Sequence, residues 1–234
     1  MAESEARHIT IVVPILNEAE CVDRLLDSLL PLCGSDCKLV LVDGGSQDGT
    51  VEKIRARAED LLVTSVPGRA HQLAAGVSTG IRDIVWFLHV DSRIPANALT
   101  DIRSALVAKT VWGRFDIRLS GQNFAFRIIE RMINLRSRTT GICTGDQGMF
   151  MTYEALCSVG GVPMQPLMED VELAKRLKKA SPPACLRSTL MTSSRRWEEK
   201  GVVKTILLMF WLRFCYFVGV SPERLVRLYY RPKP

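Results

Sequence analysis

Two stretches decide the architecture: Ile9-Thr10-Ile11-Val12-Val13-Pro14-Ile15-Leu16-Asn17-Glu18, and further on Lys38-Leu39-Val40-Leu41-Val42-Asp43-Gly44-Gly45-Ser46-Gln47-Asp48-Gly49-Thr50. Each opens with a short apolar run rich in β-branched residues, Ile9–Val13 and Lys38–Val42. Such runs form strands buried on both faces of a parallel sheet. Between them Val22, Leu25, Leu26, Leu29 and Leu30 recur at helical spacing. Strand, amphipathic helix and strand at this distance make a right-handed βαβ unit. Asn17, with Glu20 three residues on, has the form of a capping box at the helix start.

The alternation continues outward. Thr50–Glu59 reads as a helix, Leu61–Val66 as a strand, Arg69–Ser78 as a helix, Ile84–Leu88 as a strand and Pro95–Val107 as a helix with proline near its start. This predicts an α/β fold with a mostly parallel central sheet and helices on both faces. Ligands of such sheets bind beyond the carboxyl ends of the strands, so chemistry is expected in Pro14–Glu18, Asp43–Thr50 and His89–Arg93. The second half is less regular. Gly113–Leu119 alternates like a strand, Gln122–Leu135 looks helical, Gly148–Met151 reads as a short strand and Asp170–Lys179 as an amphipathic helix. These are expected to elaborate the same domain and build its acceptor side.

A chain of 234 residues, 47% hydrophobic and 24% charged, has ordinary globular composition and can bury a core without disulfide staples. Its seven cysteines are odd in number, scattered and mostly set among apolar residues, which predicts reduced core thiols and a cytoplasmic setting. No signal peptide fits the polar, acidic opening. The net charge of +6 is carried by residues 195–234, with nine Lys or Arg against three Asp or Glu. Such a tail suits an anionic partner as well as it suits a solvated surface. Aromatic residues are 7% and there is no nucleic-acid motif, so nucleic acid is not expected as that partner.

Several residues carry chemistry. Asp43 ends a buried strand and is followed by glycines that let a backbone approach a ligand closely; Ser46 or Asp48 can cap the next helix. His89 and Asp91, two apart on an extended segment, would face the same way, and a carboxylate there suits Mg2+ or Mn2+. Glu169, Asp170 and Glu172 crowd a helix start. They complement the helix dipole, and one of them can serve as general base, its pKa set by its neighbour. Arg196 can pair with phosphate and Trp197 offers a flat face for a sugar.

In this order the segments resemble the family 2 glycosyltransferases of the GT-A fold, from Ile9 to Trp197. They are similar in particular to the small stand-alone bacterial members labelled "transferase 2, selenodomain-associated". Pro14-x-x-Asn17-Glu18 and Asp43-Gly44-Gly45-Ser46-x-Asp48-Gly49-Thr50 match the family's first two motifs. The resemblance implies one GT-A domain over residues 1–200 with a helical extension over 201–234. It implies a nucleotide site at Pro14, Asn17, Glu18, Asp43 and His89, and a metal ligand at Asp91. Gly145, Asp146 and Gln147 fall where the family contacts donor sugar and acceptor, as do Arg196 and Trp197. Met168-Glu169-Asp170 matches the Thr-Glu-Asp motif, with Asp170 as catalytic base. The implied reaction is an inverting transfer from a nucleoside-diphosphate sugar, with UDP favoured, to an acceptor hydroxyl on a lipid-linked or phosphorylated molecule. Two positions depart from the pattern: His89 replaces the first Asp of Asp-x-Asp, and Ser193 stands at the Gln of Gln-x-x-Arg-Trp, which argues against a processive synthase.

Val202–Val220 is strongly apolar but contains Lys204 and Arg213, so a helix packed on the core or on a partner is expected rather than a membrane span. Arg224, Arg227 and Arg231 then share one face of a further helix, the pattern of peripheral contact with an anionic membrane. The apolar tail also suits an interface between copies. The rival readings are a nucleotide-sugar binder without turnover and a sugar-nucleotide nucleotidyltransferase. The latter needs a Gly-rich basic loop where Pro14–Glu18 stands.

Overall fold

A computed structural model describes residues 6–107 and 109–229, without the side chains of residues 196, 199, 200 and 203. The elements run β1 (Ile9–Ile15), α1 (Val22–Leu29), β2 (Cys37–Asp43), α2 (Thr50–Ala58), β3 (Leu62–Thr64), α3 (Arg69–Val77), β4 (Ile84–Phe87), α4 (Ala98–Ala105) and β5 (Trp112–Leu119). Then come α5 (Phe124–Thr140), β6 (Phe150–Thr152), α6 (Tyr153–Ser158), α7 (Glu169–Ala180), β7 (Ala184–Thr192), α8 (Arg195–Lys200), α9 (Val202–Phe217) and α10 (Pro222–Tyr229). All seven described strands join one sheet in the order β3-β2-β1-β4-β6-β5-β7. Pairing is parallel except at β6, which runs antiparallel to both β4 and β5. The expected mostly parallel α/β sheet is therefore present.

Alternation along β1 shows how the sheet is filled. Ile9, Ile11, Val13 and Ile15 face α1, α2 and α4, where Leu25, Leu26, Ile54 and Ile102 complete one buried layer. Val12 faces the other way with Val40 and Val42, against Leu73 of α3 and, farther along, Leu173 and Leu177 of α7. Period-two strands thus meet period-3.6 helix stripes on both sides. Helix α3 lies so close that a Cβ on Gly76 would stand 2.4 Å from Val12, which only glycine permits.

A strand-like stretch of sequence leads into Arg195-Arg196-Trp197. That stretch is the full edge strand β7, beside β5. At the tail, Leu212 and Cys215 of α9 and Leu225 of α10 pack against Met168 and Val171 at the start of α7. All seven cysteines are free thiols. Among the described residues no helix is long and apolar enough to cross a membrane.

Candidate active site

Strands β1, β2 and β4 are parallel, so the loops after Ile15, Asp43 and Phe87 open at one edge of the sheet. Because β6 runs the other way, the turn preceding it, residues 145–149, opens at that same edge, as do the ends of β5 and β7. The motif segments, far apart in the chain, therefore converge on one crevice.

The first two loops are stitched together by their own motif residues. Asn17 N–H donates to Ser46 Oγ (2.8 Å), and Asn17 Oδ1 accepts from Gln47 N–H (2.8 Å). Glu18 N–H donates to Thr50 Oγ1 (2.9 Å) and Ala19 N–H to Asp48 Oδ2 (3.0 Å). Asp43 is buried, and its carboxylate accepts from the N–H groups of Gly45 (2.8 Å) and Ser46 (3.1 Å). Pro14 lies within β1, opposite Val42. The expected capping box does not form. Asn17 takes a left-handed φ of 53°, which asparagine tolerates better than most residues, and α1 starts only at Val22 without a side-chain cap. Ser46 likewise serves the neighbouring loop, whereas Asp48 serves both: its Oδ1 also accepts from Thr50 N–H (3.1 Å), the first residue of α2, whose N-cap is Gly49.

His89 and Asp91 lie in a turn closed by Ser92 N–H to His89 O (3.2 Å), not on an extended segment. An antiparallel bridge from Arg93 to Met191 ties this turn to β7. His89 Nε2 is shut off from solvent without a hydrogen-bond partner. Burial pushes the His89 pKa well below the usual histidine value and the Arg69 cation adds to this, so the ring is neutral. Asp91 Oδ1 and Asp146 Oδ1 are also buried and unpartnered. Burial raises the Asp91 pKa; the Ser193 N–H opposes that shift, and the Asp146 charge adds to it. Burial also raises Glu18, against the pull of Arg195, whose Nη2 lies 3.6 Å from Glu18 Oε2. Among the described residues, no three His, Cys, Asp or Glu side chains converge to hold a metal by themselves.

The other wall is the start of α7. Met168, the N-cap, has a φ of 63°, which turns the chain so that Glu169 and Asp170 enter the crevice from the first helical turn. Asp170 is half-buried. Its Oδ2 accepts from Gly145 N–H (2.6 Å) and its Oδ1 from Val171 N–H (2.7 Å). Glu169 is buried and pairs with Arg69 at 3.2 Å. Burial and then the Asp170 charge raise the Glu169 pKa, with Arg69 opposing. The nitrogen fork of the Arg69 guanidinium abuts Gly145, where an added Cβ would stand 2.3 Å from both its terminal nitrogens.

Other expected residues sit differently. Gln147 is fully buried, and its amide bonds Ser137 Oγ (3.0 Å) and, more loosely, Phe115 O (3.4 Å), so it props the turn from behind. Trp197 packs against Leu119, Phe126 and Ile129, so its ring is shared with the core. The Arg196 side chain lies outside the described residues. One cation beside the acids, Arg69, escaped the sequence reading, while Arg195, which adjoins Arg196 and Trp197, lies beside Glu18. Arg69 had a signal: a cation in the first turn of a helix opposes the macrodipole and calls for a partner. A cavity of about 600 Å3 lies at the opposite, amino-terminal edge of the sheet, lined by His8, Cys33, Cys37 and Lys38, away from every motif residue.

A seven-stranded α/β sheet with paired acids and stitched loops at its carboxyl edge presents the crevice in which such sheets bind their ligands. The chain belongs to glycosyl transferase family 2, whose family model matches residues 10–158. An undecaprenyl-phosphate 4-deoxy-4-formamido-L-arabinose transferase of Enterobacter sp. (strain 638) is 30% identical over 168 residues, 64% of this chain and 50% of that protein. The same-named protein of Pectobacterium carotovorum is 26% identical over 160 residues, 63% of this chain and 48% of that protein. The chain thus spans about half the length of these curated relatives. Among solved structures, mannosyltransferase PcManGT from Pyrobaculum calidifontis, in complex with GDP-Man and Mn2+, superposes with a TM-score of 0.62 at 20% identity, covering 80% of this chain and 57% of that one. Glucosyl-3-phosphoglycerate synthase from Mycobacterium tuberculosis, with Mn2+, UDP and its product, gives a TM-score of 0.56 at 21% identity, covering 80% and 71%. The fold is GT-A.

Proposed function

We propose that this chain is an inverting glycosyltransferase that moves a sugar from a nucleoside-diphosphate sugar, UDP being the expected nucleotide, to an acceptor hydroxyl, with Mg2+ or Mn2+ as cofactor. The carrying observation is Asp170: a half-buried carboxylate oriented by two backbone N–H groups, at the same sheet edge as the unpartnered oxygens of Asp91 and Asp146. Family membership and the complexes of structural neighbours with GDP-Man or UDP and Mn2+ support the donor class. The relatives' names support a lipid-linked phosphate as acceptor.

Asp91, with Asp146 beside it, fits a hard divalent ion, because both present buried carboxylate oxygens without a donor of their own. The bound ion would neutralise charge on the departing diphosphate. Asp170 takes the acceptor proton as the hydroxyl attacks the anomeric carbon and the nucleoside diphosphate leaves. The N–H groups of Gly145 and Val171 aim the Asp170 carboxylate. Arg69, held by Glu169 and abutting Gly145, keeps that wall rigid. The stitched loops at Asn17–Glu18 and Asp43–Thr50 form the nucleotide side, where neutral His89 offers a hydrogen bond instead of a second carboxylate.

A thermal-shift panel of UDP, GDP, CDP and dTDP with Mn2+, Mg2+ or EDTA tests this. A nucleotide at 100 times its Kd stabilises by about 2.7 kcal/mol, and the shift should need the metal. No shift with any nucleotide in the presence of metal would refute the reading.

A further inference from the structure

Among the described residues fifteen large hydrophobic side chains are exposed, and ten of them lie on α5, on α9 or at the residue that ends α9. Scattered exposed apolar residues are ordinary, but a contiguous set marks a docking surface. On α5, Phe124, Ile128, Met132 and Leu135 follow each other at four, four and three residues, a single stripe. On α9, Leu207, Phe210, Trp211, Phe214 and Phe217 do the same. The inner faces of the two helices meet: Phe126, Ile129 and Ile133 of α5 share a cluster with Val202 and Ile206 of α9. The two exposed stripes are therefore neighbours.

Charge selects the occupant. Helix α9 carries two cations, Lys204 and Arg213, and no acid. Arg224 and Arg227 on α10 are exposed beside it. At the seam Arg136 has two buried nitrogens, Nε and Nη2, without partners. Burial and the neighbouring Arg213 cation lower its pKa to about 10. A second copy docked here would bring cation against cation. An anionic lipid surface supplies both an apolar layer and negative headgroups. The 16 residues of α9 are too few to span a bilayer, so the helix would lie in its surface.

We propose that the α5–α9 face seats on an anionic lipid bilayer, with the two apolar stripes in the acyl boundary and Lys204, Arg224 and Arg227 against the headgroups. The membrane contact expected from the α10 arginines then centres on α5 and α9, while α10 turns Leu225 inward and contributes charge. The other side of α9 packs on Met168 and Val171, which flank Glu169 and Asp170, so the lipid surface lies one helix away from the candidate base. The inference rests on exposure and charge, and it stands whether or not the chain transfers a sugar.

The test is flotation of the full chain with vesicles of phosphatidylcholine alone or mixed with phosphatidylglycerol, without donor or metal. Flotation with the anionic vesicles, weakened by salt, is expected, together with a blue shift of emission that Trp211→Phe removes and Trp197→Phe leaves; Trp86 and Trp112 are fully buried and would not respond. The F210S/F214S variant should bind on the order of tenfold more weakly with its melting temperature unchanged, since both rings are exposed. Failure to float with anionic vesicles at low salt overturns the proposal, as does binding that F210S/F214S leaves intact. Concentration-dependent dimers in sedimentation velocity that F210S/F214S abolishes, without flotation, would assign the face to a second copy instead.

Discussion

Replacing Gly145 with alanine should disable the crevice through Arg69. The new Cβ would stand 2.3 Å from Nη1 and Nη2 and 2.6 Å from Cζ, whereas ordinary contact begins near 3.4 Å. The guanidinium, the far end of a flexible side chain, must therefore retreat by about 1 Å, and the cost of about 1–3 kcal/mol lies in the charged contact this retreat loosens. That retreat pulls Arg69 from Glu169, which is buried and keeps no other cation at salt-bridge distance among the described residues. Glu169 can answer by taking up a proton, which keeps the loss well below that of a stranded buried charge. A Tm lowered by roughly 3–9 °C follows for a domain of this size. Gly145 N–H also holds Asp170 Oδ2 at 2.6 Å, so any part of the clash relieved by the turn instead of the guanidinium displaces the candidate base, and a shift approaching about 1 Å there costs on the order of 10²-fold in turnover. Calorimetry together with release of nucleoside diphosphate from the donor reads both effects. In an Arg69→Ala background the added cost of Gly145→Ala should vanish, because the clashing group is gone. Equal penalties in both backgrounds would refute the reasoning.

Asp170→Asn keeps the shape but leaves one acceptor oxygen for two backbone N–H groups, so calorimetry should show a loss of about 1 kcal/mol and turnover should fall by about 10²–10⁴-fold. Glu169 has a raised pKa in the folded state, so the native chain keeps a proton that the unfolded chain has released. Its contribution to stability is thus fully present below the ordinary glutamate value of 4.5 and is lost as pH rises from there through the raised folded value. Melting temperatures measured from about pH 4.5 to about pH 7 should show wild type losing ground to Glu169→Gln as pH increases. Gly113→Ala would press a Cβ to 2.6 Å from Ala184 O, backbone against backbone, and to 2.5 Å from the Phe150 ring. Because neither can yield cheaply, urea unfolding should register a loss of about 3 kcal/mol or more.

The sheet and its helices were legible in the sequence because they follow from local spacing. The apolar run Ile9–Val13 and the stripe from Val22 to Leu30 need only neighbouring residues to declare themselves. The order of the motifs likewise marked which loops would meet, since strand ends in a parallel sheet share an edge. What each side chain does there was decided by partners distant in the chain. Asn17 looked like a helix cap and instead joins the next loop, because Gln47 and Ser46 lie across from it. Gln147 looked like a ligand contact and is a buried prop, because Ser137 and Phe115 converge on its amide. Arg69, a cation in the first turn of a helix, called locally for a partner but did not say which: its fork abuts Gly145 and pairs with Glu169. The tail shows the same division: composition alone announced an apolar, basic segment. Only packing on α7 and α5 separated its buried side, Leu212 and Cys215, from the exposed row of Phe210, Trp211 and Phe214. Periodicity is a local property that sequence determines by itself, whereas the burial of a face and the partner of a charge arise only when distant segments are brought into contact.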